Sequence, residues 1–332
     1  MDPDAARIAN LLVGNAPGAA LLEITLLGPR LISETGTWLA LTGADLTATL
    51  DGAPLPTRRP LWAPAGARIG FGGPRRGCRA YPAVDGGLDV PQVLGSRSTD
   101  SRAALGGPAG RLLQAGDRLP LGTAHLPPPQ RFDRPAWPRW WVTHMADIPI
   151  NHPARLRFIP ATDWTALPEH ERQELAGNRY RISSQCDRMG LRLSGPALSL
   201  PDGPERLSAG VTFGTIQLPP DGQPIILGPE RQTTGGYPVL GTVARCNWPR
   251  LDTCALAMPW ASHRSQWMPP TPAARPGTGH CPAGDGAEPA LAVEHPHLHG
   301  VRRPFAERHH ARPHETWHDA HCPYPGSGRP CR

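Results

Sequence analysis

The sequence predicts a mostly β protein built in two halves, on three observations. From residue 20 to 71, short apolar runs alternate with turn residues as LLEITLLG, TWLALTG, LTATLDG and ARIGFG. Several short strands at such spacing indicate a sandwich or a barrel. A second set of strand-like runs fills residues 155 to 245, and a Pro-, Arg- and Trp-rich stretch at 127 to 141 separates the two sets. Its prolines cannot donate to a sheet, so it reads as a linker. At 332 residues the chain is long enough for each half to bury a core of its own.

The elements follow in order. Asp2 caps a helix whose first position is Pro3, with Ile8, Leu11 and Leu12 on one face and Gly14 at its end. The strands of residues 20 to 71 come next, then the block GCRAYPAVDGGLDVPQVLGSRSTD at 77 to 100, and GRLLQAGDRLPLG at 110 to 122 closes the first half. The second half opens with the strand RLRFIPA at 155 to 161, followed by a helix from Thr162 or Asp163 and the strand RYRISS at 179 to 184. DRMGLRLSG at 187 to 195 and YPVLGTVAR at 237 to 245 enclose the most informative stretch, residues 214 to 238. There, two short strands meet at a Pro-Pro-Asp-Gly turn, in which Pro pre-sets the entering backbone angle and Gly takes a positive one on leaving. Glu230-Arg231-Gln232-Thr233-Thr234-Gly235-Gly236-Tyr237 then crowds polar groups and bare backbone into eight residues.

Composition excludes some classes of function. The formal charge of +6 would invite a nucleic-acid reading, but all 34 basic residues are Arg and they are scattered, a bias that fits a GC-rich genome better than a binding face. No window of about 18 apolar residues exists and the N-terminus lacks the plan of a signal peptide, so a cytoplasmic protein with no membrane association is expected. The seven Cys show no paired spacing.

Beyond Leu251 the chemistry changes. Residues 252–332 hold ten of the fourteen His, four of the seven Cys, thirteen of the 43 Pro and no Ile. So few aliphatic groups cannot offset the entropy of ordering, which predicts a disordered tail. A shifted reading frame accounts for it. Reading the stretch from Cys254 to Ala261 with GC-rich codons, but from the third base of the Cys codon, yields Arg-Pro-Gly-Asp-Ala, then Leu, Met or Val, then Gly. A base lost near Asp252 would thus restore a PGD turn and a last strand. The alternative is a genuine extension of the chain, the match arising from codon freedom.

Six ordered blocks carry a resemblance: ANLLVGN at 9 to 15, the block at 77 to 99, GRLLQAGDRLPLG, DRMGLRLSG, GTIQLPPDGQPIIL and ERQTTGGYP. They resemble the biotin-dependent carboxyltransferase-like family, also called allophanate hydrolase subunit 2, which includes the C components of bacterial 5-oxoprolinases. The family also holds a kinase-inhibitor antagonist and the carboxyltransferase part of urea amidolyase. The resemblance implies two cyclophilin-like β-barrel subdomains, at residues 1–126 and 151–251, joined by a linker at 127–150 and enclosing a cleft. It implies a B-like partner, a third (A) component, and a metal-free, ATP-consuming hydrolysis of 5-oxoproline to glutamate, the ATP being shared with the partners. Three other readings stay open: an allophanate- or urea-type carboxyltransferase whose biotin would ride on another protein, a regulator that binds a kinase inhibitor, and a non-functional copy.

The chain departs from the family pattern. Met1-Asp2-Pro3 resembles an internal point of the family, so a first strand is expected to be missing, and the tail is expected to lack the last one. Pro82 stands where the family has an aliphatic residue, removing one ladder donor. Glu230 replaces an Asp.

Opening a lactam requires donors aimed at an oxygen that becomes negative, a carboxylate-binding group and few competing waters. Arg188 and Arg97 are candidates for a carboxylate contact. Asp187 and Glu230 are the general-base candidates by motif position. Gln217, Gln223, Arg231, Thr233, Thr234, Gly235, Gly236 and Tyr237 are candidate substrate contacts. For the two glycines a β-bulge stands beside an amide-lined oxyanion or phosphate site, and for Tyr237 a core position beside a catalytic one. Asp221 reads as turn chemistry. Cys186 has no His placed to activate it. His295, His297 and His299 alternate like ligands on a strand, but the frame argument makes them a by-product, and no metal is expected.

Overall fold

The computed structural model describes residues 1–131, 133–143, 154–200, 206–253 and 259–264, and of 154, 155, 252, 253 and 259–264 the backbone alone. These residues all fall in one unit, Met1–Pro296, and a second unit, His297–Arg332, lies outside them.

Helix α1, Pro3–Leu12, begins as predicted. Asp2 Oδ1 accepts from the amides of Asp4 and Ala5, each at 3.0 Å, and Pro3 occupies the first turn, where no donor is needed. Gly14, at φ +77°, follows its end. The apolar face expected at Ile8, Leu11 and Leu12 is corrected: Ala5, Ala9 and Val13 are buried, and Leu11 is 53% exposed. The helix lies against Ala40, Tyr81 and Ala83 of a sheet, and small side chains on both surfaces permit that close approach. Two buried hydrogen bonds fix it there, from the Asp2 amide to the Tyr81 hydroxyl at 2.8 Å and from Thr42 Oγ1 to the Ala5 carbonyl at 2.7 Å.

The first half contains β1 (Ile24–Thr25), β2 (Leu31–Ile32), β3 (Thr37–Asp45), β4 (Thr49–Leu50), β5 (Ala53–Pro54), β6 (Leu61–Ala63), β7 (Arg68–Gly70) and β8 (Arg76–Val84). They form two four-stranded sheets, ordered β1-β8-β3-β6 and β2-β7-β4-β5, around one core that includes Leu39, Leu41, Leu50, Leu61 and Ile69. Strands β3 and β8 are buried on both faces, by that core and by α1. Pro82 sits in β8 opposite Leu41. Its carbonyl accepts from the Leu22 amide at 3.2 Å, so its nitrogen also faces away from β3 and the β3–β8 ladder loses no donor.

The Pro- and Trp-rich stretch is tied to this half up to residue 143. The Trp38 indole donates to the Pro127 carbonyl at 2.8 Å, Trp62 bridges to Ala136, and the Val142 amide donates to the Arg58 carbonyl at 3.0 Å.

The second half contains β9 (Ala154–Pro160), α2 (Thr162–Ala166), α3 (Glu169–Gly177), β10 (Tyr180–Ile182), β11 (Gly190–Ser194), β12 (Ala209–Gly210), β13 (Thr215–Gln217), β14 (Ile225–Leu227), β15 (Thr234–Gly235), β16 (Val239–Val243), α4 (Trp248–Thr253) and β17 (Pro259–Arg264). Seven strands close a barrel in the order β10-β11-β14-β13-β16-β9-β17, while β12 and β15 pair as a separate ribbon. Phe158, Leu193, Ile216, Ile226 and Leu240 fill it. The predicted hairpin is present: Ile216 faces Ile226, the Gly222 amide donates to the Pro219 carbonyl at 3.0 Å, and Gly222 has φ +73°. Asp221 accepts from the Gln223 amide at 3.0 Å, the turn chemistry expected of it.

The missing last strand is corrected. β17 runs parallel to β9 and antiparallel to β10, filling the place between them and removing an edge. The rest of the predicted tail, 254–258 and 265–332, lies outside the described residues.

Replacing the fully buried Ile216 by Ala is expected to cost about 3 kcal/mol in urea unfolding, whereas Leu11→Ala changes stability by less than about 0.5 kcal/mol. Similar losses at both positions would contradict the packing described.

Candidate functional site

Arg188 stands where the two halves meet. It belongs to a turn that leads into β11, in which Asp187 Oδ1 accepts from the amides of Met189 and Gly190 at 2.8 and 3.2 Å. The loop after β14 is strapped to this turn, because the Gly228 amide donates to the Met189 carbonyl at 2.7 Å and the Glu230 amide to the Arg188 carbonyl at 3.0 Å. Gly228 is required for this approach. A Cβ there would stand 2.2 Å from the Arg188 carbonyl oxygen.

From this frame the Arg188 side chain spans to the first half. Its Nε donates to Glu230 and its Nη1 to Glu23, a residue 165 positions away in the chain. Glu23 immediately precedes β1, and it also faces the Met1 amino group at 2.8 Å and Arg79 Nε at 3.8 Å. Burial by itself would raise the Glu23 pKa, but the Met1 ammonium, Arg188 and Arg79 outweigh it and hold the carboxyl below its ordinary value. Burial likewise opposes the charge on Arg188, and Glu23 and Glu230 more than compensate, so its pKa is raised. A second bridge crosses beside the first: Arg102, in the turn after the GSRST loop, donates from Nη2 to Asp187 Oδ2 at 2.6 Å.

The three predicted catalytic residues, Asp187, Arg188 and Glu230, are therefore brought together. Their states differ. Asp187 has both oxygens engaged, one by amides and one by Arg102. Glu230 uses only Oε1, and Arg188 keeps Nη2, with no partner for Oε2 or Nη2 among the described residues. Glu230 is thus the better placed of the two carboxylates to take a proton, and Arg188 offers one nitrogen rather than an open two-pronged fork.

The predicted substrate contacts are dispersed. Arg97 is exposed and makes no ion pair among the described residues. Both ends of the Gln223 amide are used by the Gly195 backbone, at 2.9 and 3.1 Å, at the far end of β11 from Arg188. Gln217 is buried under Gly235, where a Cβ would come within 2.5 Å of its Nε2. Arg231 braces the loop through the Val211 carbonyl at 3.3 Å. Thr233, Thr234 and Gly235 run along the ribbon, pairing with residues 209–211, and the Gly236 carbonyl accepts from Arg206. Gly235 and Gly236 do not have positive φ, so they form no left-handed amide nest. Tyr237 is 45% exposed, not a core aromatic.

Cys186 exchanges hydrogen bonds with the Arg192 backbone, and burial pushes its thiol pKa up, which leaves it a poor nucleophile. No group of three or more His, Cys, Asp and Glu among the described residues could hold a metal, and the His295 to His299 run lies outside them. A small apolar hollow lies in the first half, lined by residues such as Leu41, Leu55, Ile69 and Phe71. It offers no polar group for chemistry.

Sequence reasoning missed Glu23, Arg79 and Arg102. Glu23 carried one available signal, a lone carboxylate inside the apolar run LLEITLLG.

Residues 1–257 match the family model described as carboxyltransferase domain, subdomain A and B. Among curated relatives, the C subunit of the Escherichia coli 5-oxoprolinase is 38% identical over 261 residues, covering 78% of this chain and 79% of that one. Among solved structures, that of TTHA0988 superposes with a TM-score of 0.67 at 31% identity, over 80% of this chain and 49% of that one. The urea amidolyase of K. lactis gives a TM-score of 0.68 at 26% identity, over 80% of this chain and 17% of that one. The chain thus spans half or less of the length of these two structures.

A carboxyl held below its ordinary 4.5 contributes stability that is present above pH 4.5 and is lost as the pH falls through the lowered value. Urea midpoints measured from about pH 6 to pH 3 should therefore fall for the wild type and fall less for Glu23→Gln. Parallel profiles would contradict the role assigned to Glu23.

Proposed function

The chain belongs to the family of carboxyltransferase domains made of subdomains A and B, and from that premise we propose that it is a cytoplasmic, non-autonomous component of an ATP-dependent 5-oxoprolinase. It acts with a B-like partner and a third (A) component to open the cyclic amide of 5-oxoproline to glutamate. The carrying observation is the convergence of Asp187, Arg188 and Glu230 with Glu23 at the meeting of the two halves. The likeness to the C subunit of 5-oxoprolinase supports the choice of substrate.

In this reading Arg188 Nη2 binds the carboxylate of 5-oxoproline, while Glu23 and Glu230 fix the direction of the guanidinium. Glu230 Oε2 accepts a proton from the attacking water, and Asp187 with Arg102 holds the far side of the cleft closed. Water is limited by the walls of the two halves, which strengthens each of these contacts.

The Gly-rich turn at 106–110 does not fit a phosphate of ATP. The left-handed glycines Gly106 and Gly110 press against the carbonyls of Ser98 and Ala104, and the Gly110 amide is spent on Gly106. They leave no cradle of amides for a phosphate. In this reading the nucleotide is shared with the partner proteins, and no step above passes through it.

The likeness to urea amidolyase favours a second reading, a carboxyltransferase step on urea or a related amide. The chain contains no Lys, so biotin would have to arrive on a separate carrier protein.

Co-expression of the full chain with the B-like and A components from the same genome should release glutamate from 5-oxoproline and ATP, and Glu230→Gln should lower that rate by about 100-fold. A complex that forms yet turns over only in the presence of biotinylated carrier and urea would replace this reading by the second.

A further inference from the structure

Between residues 131 and 141 the surface carries three half-exposed indoles, Trp137 at 49%, Trp140 at 52% and Trp141 at 60%. Arg131, Arg134 and Arg139 are exposed among them and make no ion pair among the described residues, and the only carboxylate within the strip is Asp133. The strip is held in place. Ala136 bridges to Trp62 in β6, the Pro138 carbonyl accepts from Arg59 Nη1 at 3.0 Å, and the Arg59 guanidinium lies 5.3 Å from the centre of the Trp141 ring. Pro135 and Pro138 further restrict its backbone.

Such a strip is costly to leave in water. A buried Trp removes about 150–250 Å² from solvent, and Trp and Arg are the residues on which protein–protein affinity most often concentrates. Because its backbone is already fixed, little ordering entropy remains to oppose binding. We propose that Arg131 and residues 133–141 form a docking surface for an acidic face of the B-like partner, whose carboxylates pair with the three arginines while its apolar groups cover the indoles. This rests on the heteromeric reading above. Charge argues for an acidic partner over a second copy, since a chain of formal charge +6 presents a repelling surface to itself.

The test uses the full chain and the B-like partner from the same genome, with binding followed by titration at low and moderate salt. Trp137→Ala combined with Trp140→Ala is expected to weaken binding by about tenfold or more. Combined Arg131→Glu, Arg134→Glu and Arg139→Glu should weaken it by a similar factor and reduce its dependence on salt. Thermal melts of both variants close to that of the wild type would assign the loss to the surface. Wild-type affinity in both variants would overturn the proposal and leave the heteromeric reading standing. Absence of any binding by the wild type would overturn both. Conversion of a wild-type dimer to monomer by the Trp variant, or displacement of the B-like partner by a single-stranded oligonucleotide, would assign the surface to another occupant and overturn the proposal.

Discussion

A guanidinium shared by two carboxylates joins the halves of this protein. Arg188 comes from the barrel, as does Glu230, and Glu23 comes from the sheet opposite. Half-buried charge of this kind is tolerated only when it is compensated, and removal of one partner leaves the others exposed to the full cost of desolvation. The relation between the halves is therefore set in part by electrostatics where they meet.

Much of the surrounding structure serves this point. The Asp187 turn fixes where Arg188 leaves the backbone, and Gly228 lets the following loop come close enough to present Glu230. The Arg102–Asp187 bridge occupies the second carboxylate of the motif, whereas Glu230 keeps one oxygen with no partner among the described residues. Two acidic residues with equal motif standing acquire different chemistry from their neighbours alone. The polar ribbon at 233 to 235 is held by its pairing with 209 to 211, and Gly235 packs closely over Gln217.

What was legible in the sequence was local. The Asp2 cap, the Pro-Pro-Asp-Gly turn and the strand alternation state their geometry within a few residues. Asp187, Arg188 and Glu230 were each marked by their positions in the motifs of the resemblance, but that Arg188 meets Glu230 was visible only in the fold. Glu23, Arg79 and Arg102 were not legible, since their meaning depends on pairings across 165, 56 and 85 positions. The buried face of α1 was misread for a related reason. Periodicity marks the larger apolar residues, while close docking on Tyr81 and Ala83 selects alanines that periodicity weighs lightly. Gln223, in contrast, was settled by two backbone partners supplied from a different strand end.

Glu23 and Arg188 act as one unit where the two halves meet. A double-mutant cycle with Glu23→Gln, Arg188→Gln and the combined variant, followed by urea unfolding at neutral pH, measures that coupling. A coupling of about 1–2 kcal/mol is expected, the double variant losing less than the two single losses together. Losses that add to within about 0.4 kcal/mol would contradict it.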